Sequence, residues 1–216
     1  MDSKTAIIAG ASGLIGRSLT QELLKNTDYH QVIVLVRKPL GLHHKNLKEL
    51  SINFDDLATM EHFPNGDDVF CCLGTTKKKT PDPEDYRKVD YVYCMELAKR
   101  AKKEGAERFF LISSLGAKKG SGNFYLNLKG ELENDLLLLE YRTVNIFRPA
   151  LLRGNRNENR MGEKFAQMFT RLIPFIGPLK KYRPIHADKV VNAMIKVSKQ
   201  DAQGCYYYSS EMMQSM

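Results

Sequence analysis

This 216-residue sequence predicts an α/β fold, built on a doubly wound parallel sheet. Three observations predict it. Short apolar runs alternate with helix-length amphipathic segments, the pattern of parallel strands joined by helical crossovers. Several runs are apolar at consecutive positions, as strands covered on both faces must be. The first run leads straight into a glycine-spaced turn and then a helix.

The elements follow in order. Residues 5–9 form the first strand, and Leu14–Lys25 carries the apolar spacing of an amphipathic helix. Residues 31–36 (QVIVLV), 68–73 (DVFCCL) and 108–113 (RFFLIS) are near-continuous apolar strands. Residues 84–104 and 124–140 read as helices. Residues 143–147 are a further strand, ended by Arg148-Pro149. The character then changes. Residues 153–164 are polar and loop-like, and 165–173 read as a short helix closed by Pro174, Gly177 and Pro178. Asp188 is placed to cap a helix reaching about Lys199. Residues 204–208 (GCYYY) suit a last strand. A single domain is expected over 1–216, with 150–185 forming a small substrate-side subdomain. The sequence ends soon after Tyr208, which keeps that lid small.

Composition narrows the class. At ~100–200 residues per domain the length suits one domain, able to bury a core without metal or disulfide staples. Hydrophobic residues make up 43% and charged residues 27%, which excludes a disordered chain. The mean hydropathy is −0.39, and aliphatic runs such as residues 32–36 and 136–139 are far too short to cross a bilayer, so no membrane span is expected. The N-terminus lacks the shape of a secretory or transit peptide, and cytoplasmic residence is expected. Cys71, Cys72, Cys94 and Cys205 contain no C-x-x-C pair, and adjacent Cys71 and Cys72 point to opposite faces of a strand. They read as reduced thiols rather than metal ligands. His43 and His44 have no partner at metal-ligand spacing, and His186 reads as a turn residue. The net charge of +8 and pI of 9.2 suit an anionic ligand. The basic clusters at 77–79, 99–103 and 180–183 read as solvated faces. No nucleic-acid motif accompanies them, so neither nucleic acid nor membrane is an expected partner.

The sharpest motif follows the first strand. Gly10-Ala11-Ser12-Gly13-Leu14-Ile15-Gly16 is G-x-x-G-x-x-G, a variant of the dinucleotide fingerprint. Gly10 permits the turn, Gly13 lets the backbone approach a pyrophosphate, and Gly16 lets the helix pack closely. The helix N-terminus offers free N–H groups to phosphate. Gly10, Ser12, Gly13, Leu14, Ile15 and Gly16 are therefore expected cofactor contacts. An acidic residue ~20 positions after the glycines would favour NAD(H). Arg37 and Lys38 stand there instead, Arg37 following Gly16 by 21 positions. A guanidinium can pair bidentately with a 2′-phosphate, so NADP(H) is preferred, with NAD(H) as the alternative. Arg17 could add charge beside the third glycine. Asp55, beyond the third strand, is expected at the adenine, and Leu73, Gly74 and Thr75 at the adenosine ribose.

A second motif carries chemistry. Tyr125-Leu126-Asn127-Leu128-Lys129 is Y-x-x-x-K within a helix, and i,i+4 spacing puts both side chains on one face. A nearby ammonium favours the phenolate of a tyrosine whose pKa is normally ~10. Such a tyrosine can pass a proton to or from a carbonyl or alcohol. The lysine can also hydrogen-bond the nicotinamide ribose, and a serine of Ser113-Ser114 can orient the substrate oxygen.

In this order, glycine loop, Ser-Ser and then Y-x-x-x-K, the sequence resembles an atypical short-chain dehydrogenase/reductase, a family of Rossmann-fold NAD(P)-dependent enzymes. Residues 70–76 (FCCLGTT), 113–117 (SSLGA), 128–131 (LKGE), 147–149 (FRP) and the R-x-E-x-R-x-G-E pattern at 156–163 resemble its Tat-interacting-protein-like branch. The resemblance spans about residues 5–199. It implies a small NADPH-binding oxidoreductase with Ser114, Tyr125 and Lys129 as its catalytic residues, Ser113 being the alternative serine. Ser113, Tyr125, Lys129 and Arg148 complete the cofactor contacts. It implies hydride transfer to or from a carbonyl or alcohol, whose acidic group could meet Arg156 or Arg160. A cofactor-sensing regulator with a protein partner is the alternative, and a nucleotide-sugar epimerase or dehydratase a further one. Helices 84–104 and 124–140 pair between subunits in the wider family, which makes a homodimer an expected assembly. The sequence also departs from the pattern. Tyr125 follows Ser114 by only 11 positions, across the loop Lys118-Lys119-Gly120-Ser121-Gly122.

Overall fold

Each apolar strand of the sequence sends alternate side chains into two separate cores, as period-two geometry dictates. The computed structural model describes residues 3–153 and 182–216. β1 (Lys4–Ala9) is followed by α1 (Leu14–Lys25), β2 (Tyr29–Val36), β3 (Leu47–Ser51) and a 3-10 turn, Phe54–Asp56. Then come β4 (Asp68–Cys71), α2 (Pro83–Arg87), a π turn (Lys88–Val92) and α3 (Tyr93–Lys103). β5 (Arg108–Ile112), α4 (Phe124–Leu137) and β6 (Thr143–Arg148) continue the alternation. After β7 (Leu152–Arg153) and β8 (Ile185–His186) the chain closes with α5 (Ala187–Ser198), β9 (Gly204–Ser209) and α6 (Ser210–Ser215).

Seven strands form one sheet in the order β3-β2-β1-β4-β5-β6-β9, and every pairing is parallel. The winding reverses between β1 and β4, the place at which doubly wound sheets receive ligands, beyond the carboxyl ends of the strands. Ala6 and Ile8 of β1, Val32 and Val34 of β2, and Phe110 of β5 face α1 and α5. Ile7, Ala9, Ile33, Leu35, Phe109 and Leu111 face α3 and α4. Cys71 and Cys72 divide between the two cores as expected. Phe70 and Phe110 stack at 4.5 Å, and Phe147 stacks on Tyr208 at 4.8 Å.

The helix boundaries depart from the sequence reading at three places. Residues 84–104 are not one continuous α-helix: the π turn interrupts them, and Pro83 starts α2 behind an Asp82 cap that accepts from Glu84 N–H and Asp85 N–H. Asp188 does not cap α5. His186 holds the cap position without a side-chain bond, and Asp188 lies in the first turn, where its charge favours the helix dipole. α6 follows the last strand unannounced; Ser209 Oγ accepts from Met212 N–H at 3.2 Å, and Met213 is buried. The expected helix at 165–173, with Arg156 and Arg160, lies outside the described residues. Beside that segment, β7 and β8 form a two-stranded parallel ladder.

At the amino ends of the strands, Asp68 is fully buried against Arg108. Arg108 Nε donates to its carboxylate at 2.5 Å, and Tyr29 Oη donates to the same group. Arg108 also reaches Gln200 O at 3.0 Å, tying the segment after α5 to the sheet. Burial pushes the Asp68 carboxyl up, against the pull of Arg108 and Tyr29. Removing one partner of such a pair strands the other. Arg108→Leu should therefore cost about 3–5 kcal/mol in a urea unfolding midpoint, and the double variant with Asp68→Leu should recover most of it.

Candidate active site

The glycine loop is shaped by close approach. Gly10 has φ +87°, and a Cβ there would stand 2.4 Å from Cys72 O. A Cβ on Gly16 would stand 2.2 Å from Gly10 O, so strand end, loop and helix are packed backbone to backbone. Gly13 N–H donates to Gly10 O at 2.9 Å, and Gly13 is the N-cap of α1 with no side-chain cap. The first turn of α1 carries no acidic residue. Its N–H groups are thus left to an anion. Ser12 is exposed, Leu14 is half-buried, and Ile15 is core, leaving its backbone to serve a ligand.

Two neighbouring strand ends converge on this loop. Ala9 pairs with Leu35 in register, which brings the end of β2 beside Gly10. Arg37 and Lys38 follow it and are exposed. Ile52 N–H donates to Val36 O at 2.8 Å, so the turn bearing Asp55 leaves from the same edge. Asp55 Oδ1 pairs with Lys88 at 2.6 Å and accepts from Tyr93 Oη at 2.7 Å. These bonds, Lys88 first, hold its carboxyl below the usual range. Leu73, Gly74 and Thr75 continue β4 past Cys72, against Gly10.

Tyr125 and Lys129 lie on one face of α4. Asn123 caps that helix, accepting from Leu126 N–H at 3.1 Å, while Asn127 accepts from Gly120 N–H at 2.7 Å and pins the preceding loop. Tyr125 is half-buried and its ring meets Tyr86 edge-on, 6.3 Å between centroids. Its phenol oxygen makes no hydrogen bond to a described residue. Lys129 is 2% exposed, and its Nζ stands 3.0 Å from Asp90 Oδ1. Burial alone would lower the lysine, but Asp90 and then Tyr125 outweigh it and leave it raised. Asp90 is the one carboxylate at Nζ among the described residues, and a single ion-pair contact leaves the other donors of the ammonium unanswered. A buried ammonium with spare donors is costly unless a ligand oxygen completes it.

Asp90 escapes the motif search altogether. It sits in the π turn, 1% exposed, and its second oxygen accepts from Thr75 N–H at 2.7 Å. Tyr86 Oη donates to Thr75 O at 3.3 Å. The one available signal was an acidic residue at the helical spacing of Tyr86 and Cys94, both inward-facing.

Ser114 stands half-buried just beyond β5; its Oγ makes only a 3.5 Å contact to Leu115 O. Ser113 is drawn elsewhere. Its Oγ donates to buried Glu133, which also accepts from Arg148 Nε at 3.0 Å. Ser113 and Arg148 are thus gathered on Glu133, whereas Lys129 is gathered with Asp90. Glu133, Arg148 and Gly130 line a cavity of about 510 Å³ under the loop 116–119. Gly130 admits that loop: a Cβ there would stand 2.2 Å from the Lys118 carbonyl carbon.

Over residues 10–137 the sequence matches the NAD(P)H-binding family. The chain belongs to that family. This NAD(P)H-binding protein is similar to protein HTATIP2 of Rattus norvegicus, 35% identical over 178 residues, covering 81% of this chain and 73% of the relative. Protein FMP52, mitochondrial, of Debaryomyces hansenii is 34% identical over 157 residues, covering 72% and 70%. Among solved structures, UDP-glucose 4-epimerase of Thermotoga maritima superposes with a TM-score of 0.70 at 20% identity, covering 95% of this chain and 76% of that one. The Bordetella bronchiseptica enzyme WbmH in complex with NAD+ gives 0.70 at 18% identity, covering 96% and 76%. At such identities the likeness is one of fold alone, a Rossmann-like α/β fold. Among the described residues, no helix of this NAD(P)H-binding protein is long and apolar enough to cross a membrane.

The packing at Gly130 is directly testable. Gly130→Ala should lower stability by about 1–3 kcal/mol in a chemical denaturation midpoint, because loop or helix must yield.

Proposed function

We propose that the protein is an NADP(H)-dependent oxidoreductase acting on a carbonyl or alcohol of small-molecule size. The observation that carries this reading is Lys129: buried, charged, on the Tyr125 face of α4, and with donors that its one contact to Asp90 does not satisfy. The residues present fit a nicotinamide dinucleotide, since the Gly10–Gly16 packing leaves a side-chain-free approach and the N-terminus of α1 is uncapped. When bound, the nicotinamide supplies or accepts the hydride. Tyr125 Oη gives the proton to the substrate oxygen or takes it away. Lys129 holds the nicotinamide ribose and steadies the phenolate, and Ser114 orients the substrate oxygen. Arg37, exposed and without an ion-pair partner among the described residues, takes the 2′-phosphate, with Lys38 beside it. Asp55 serves the adenine through its free Oδ2, and Gly74 and Thr75 lie along the adenosine ribose.

A second reading has its own support. The Asp90 carboxylate, 3.0 Å from Lys129, offsets the charge that would activate Tyr125. That favours a cofactor-binding regulator with little turnover, read by a protein partner. Cytoplasmic residence is likewise proposed, on the free cysteines, although the fungal relative is named mitochondrial. Imaging of the tagged protein in its own cells decides the compartment.

Calorimetric titration separates these readings. NADPH should bind more tightly than NADH, and Arg37→Ala should weaken NADPH about tenfold or more while leaving NADH nearly unchanged. Equal affinities that ignore Arg37 would remove the NADP(H) preference. Tyr125→Phe should abolish turnover of any carbonyl substrate found, with NADPH affinity nearly intact. Turnover that survives this change removes the catalytic role of Tyr125. A wild type that binds NADPH but reduces no carbonyl in a broad screen favours the regulator.

A further inference from the structure

A lysine buried alone loses its proton readily; measured cases fall by several pH units. The groups that face Lys129 come from four elements: Asp90 from the π turn, Cys94 from α3, Tyr86 from α2 and Tyr125 from α4 itself. Cys71, at the end of β4, lies against Cys94 in turn. The Cys94 thiol is pushed well up, first by Cys71 and then by burial. Burial pushes the Tyr86 phenol up as well. Both stay neutral near pH 7. Asp90 is the one carboxylate within ion-pair distance of Lys129 among the described residues. Its other oxygen accepts from Thr75 N–H, and Tyr86 Oη donates to the carbonyl of the same residue. One side chain therefore spans from the loop beyond β4 to the helix bearing Tyr125.

We infer that Asp90 is a positioning residue: it keeps Lys129 an ammonium and fixes it to the Gly74-Thr75 loop, so that lysine and loop meet the dinucleotide as one unit. The last clause rests on the oxidoreductase reading. The hold on Lys129 does not.

The test uses Asp90→Asn, which keeps the size and the acceptor for Thr75 N–H but removes the charge. In the ligand-free protein, burial then draws Lys129 below its unfolded pKa of about 10.4. The unfolded chain binds more protons, so the stability of D90N should rise relative to wild type between about pH 6 and about pH 9.5. The double variant D90N/K129M should lack that rise. NADPH affinity should move the other way, weakening in D90N by about tenfold over the same range, against about twofold or less in wild type. Parallel stability curves for D90N and D90N/K129M overturn the inference, whatever binds. A wild type that binds neither NADPH nor NADH overturns the oxidoreductase reading and leaves the stability curves to judge Asp90. If D90N does not fold, Lys129→Met carries the test. It strands Asp90 as a buried acid with a raised pKa, so its stability relative to wild type should fall as pH rises from about 4 to about 7, and an unchanged difference overturns the inference.

Discussion

Gly10 has no room for a side chain, and the arrangement of the site descends from that fact. Its backbone is held between Cys72, just past the neighbouring strand β4, and Gly16 in the following helix. Because sheet and helix touch there through backbone alone, the start of α1 sits directly over the carboxyl edge. The end of β2, the loop beyond β4 and the uncapped N-terminus of α1 then open on one crevice. A methyl group at Gly10 or Gly16 would push these parts away from one another. The chemistry at this edge is thus set by contact distance before any charged side chain takes part.

Among the described residues, buried charge lies at the two ends of the strands. Between them the sheet is apolar on both faces save at Asn145 of β6, whose Oδ1 accepts from Tyr208 Oη at 3.2 Å; without such a partner a mid-strand polar group would be costly. At the amino end, Tyr29, Asp68 and Arg108 satisfy one another and join the sheet to the segment after α5. At the carboxyl end lie two separate clusters on α4, Asp90 with Lys129 and Ser113 with Glu133 and Arg148. The amino-end group is saturated. Of the two carboxyl-end clusters, the one holding Lys129 keeps an unanswered donor. That contrast supports the ligand-facing role proposed for Lys129.

Much of this was legible in the sequence. Residues 31–36 and 108–113 announce strands by their unbroken apolar character, and Leu14–Lys25 is a helix at the residues its periodicity indicates. The glycine loop was legible because each glycine answers a local steric demand. The long-range pairings were not. Asp90 lies 39 positions before Lys129 and Thr75 a further 15 before that, and a carboxylate in a helix carries no mark of the loop it will cap. Ser113 and Ser114 look alike in the sequence, yet adjacent positions at a strand end diverge, one toward Glu133 and the other past the edge. The cap of α5 was misread because Asp188 has the right chemistry two positions too late.

The π turn at Lys88–Val92 amounts to a phase correction in the helical segment. In a regular α-helix, side chains four apart drift about 40° per step, so a row at 86, 90 and 94 would wind off one face. The wider turn takes back that drift, and Tyr86, Asp90 and Cys94 all point inward. The carboxylate beneath Lys129 is therefore addressed by the length of the segment as much as by its letters. Deleting one residue between 88 and 92 would restore regular winding with α2 and α3 keeping nearly their present faces, since the π turn is the room that one extra residue takes, and the place of Asp90 in the turn is what would change. In chains of this architecture, a single-codon insertion or deletion is thus a route by which a buried partner of the lysine is gained or lost, one that comparing residues column by column would record as a gap.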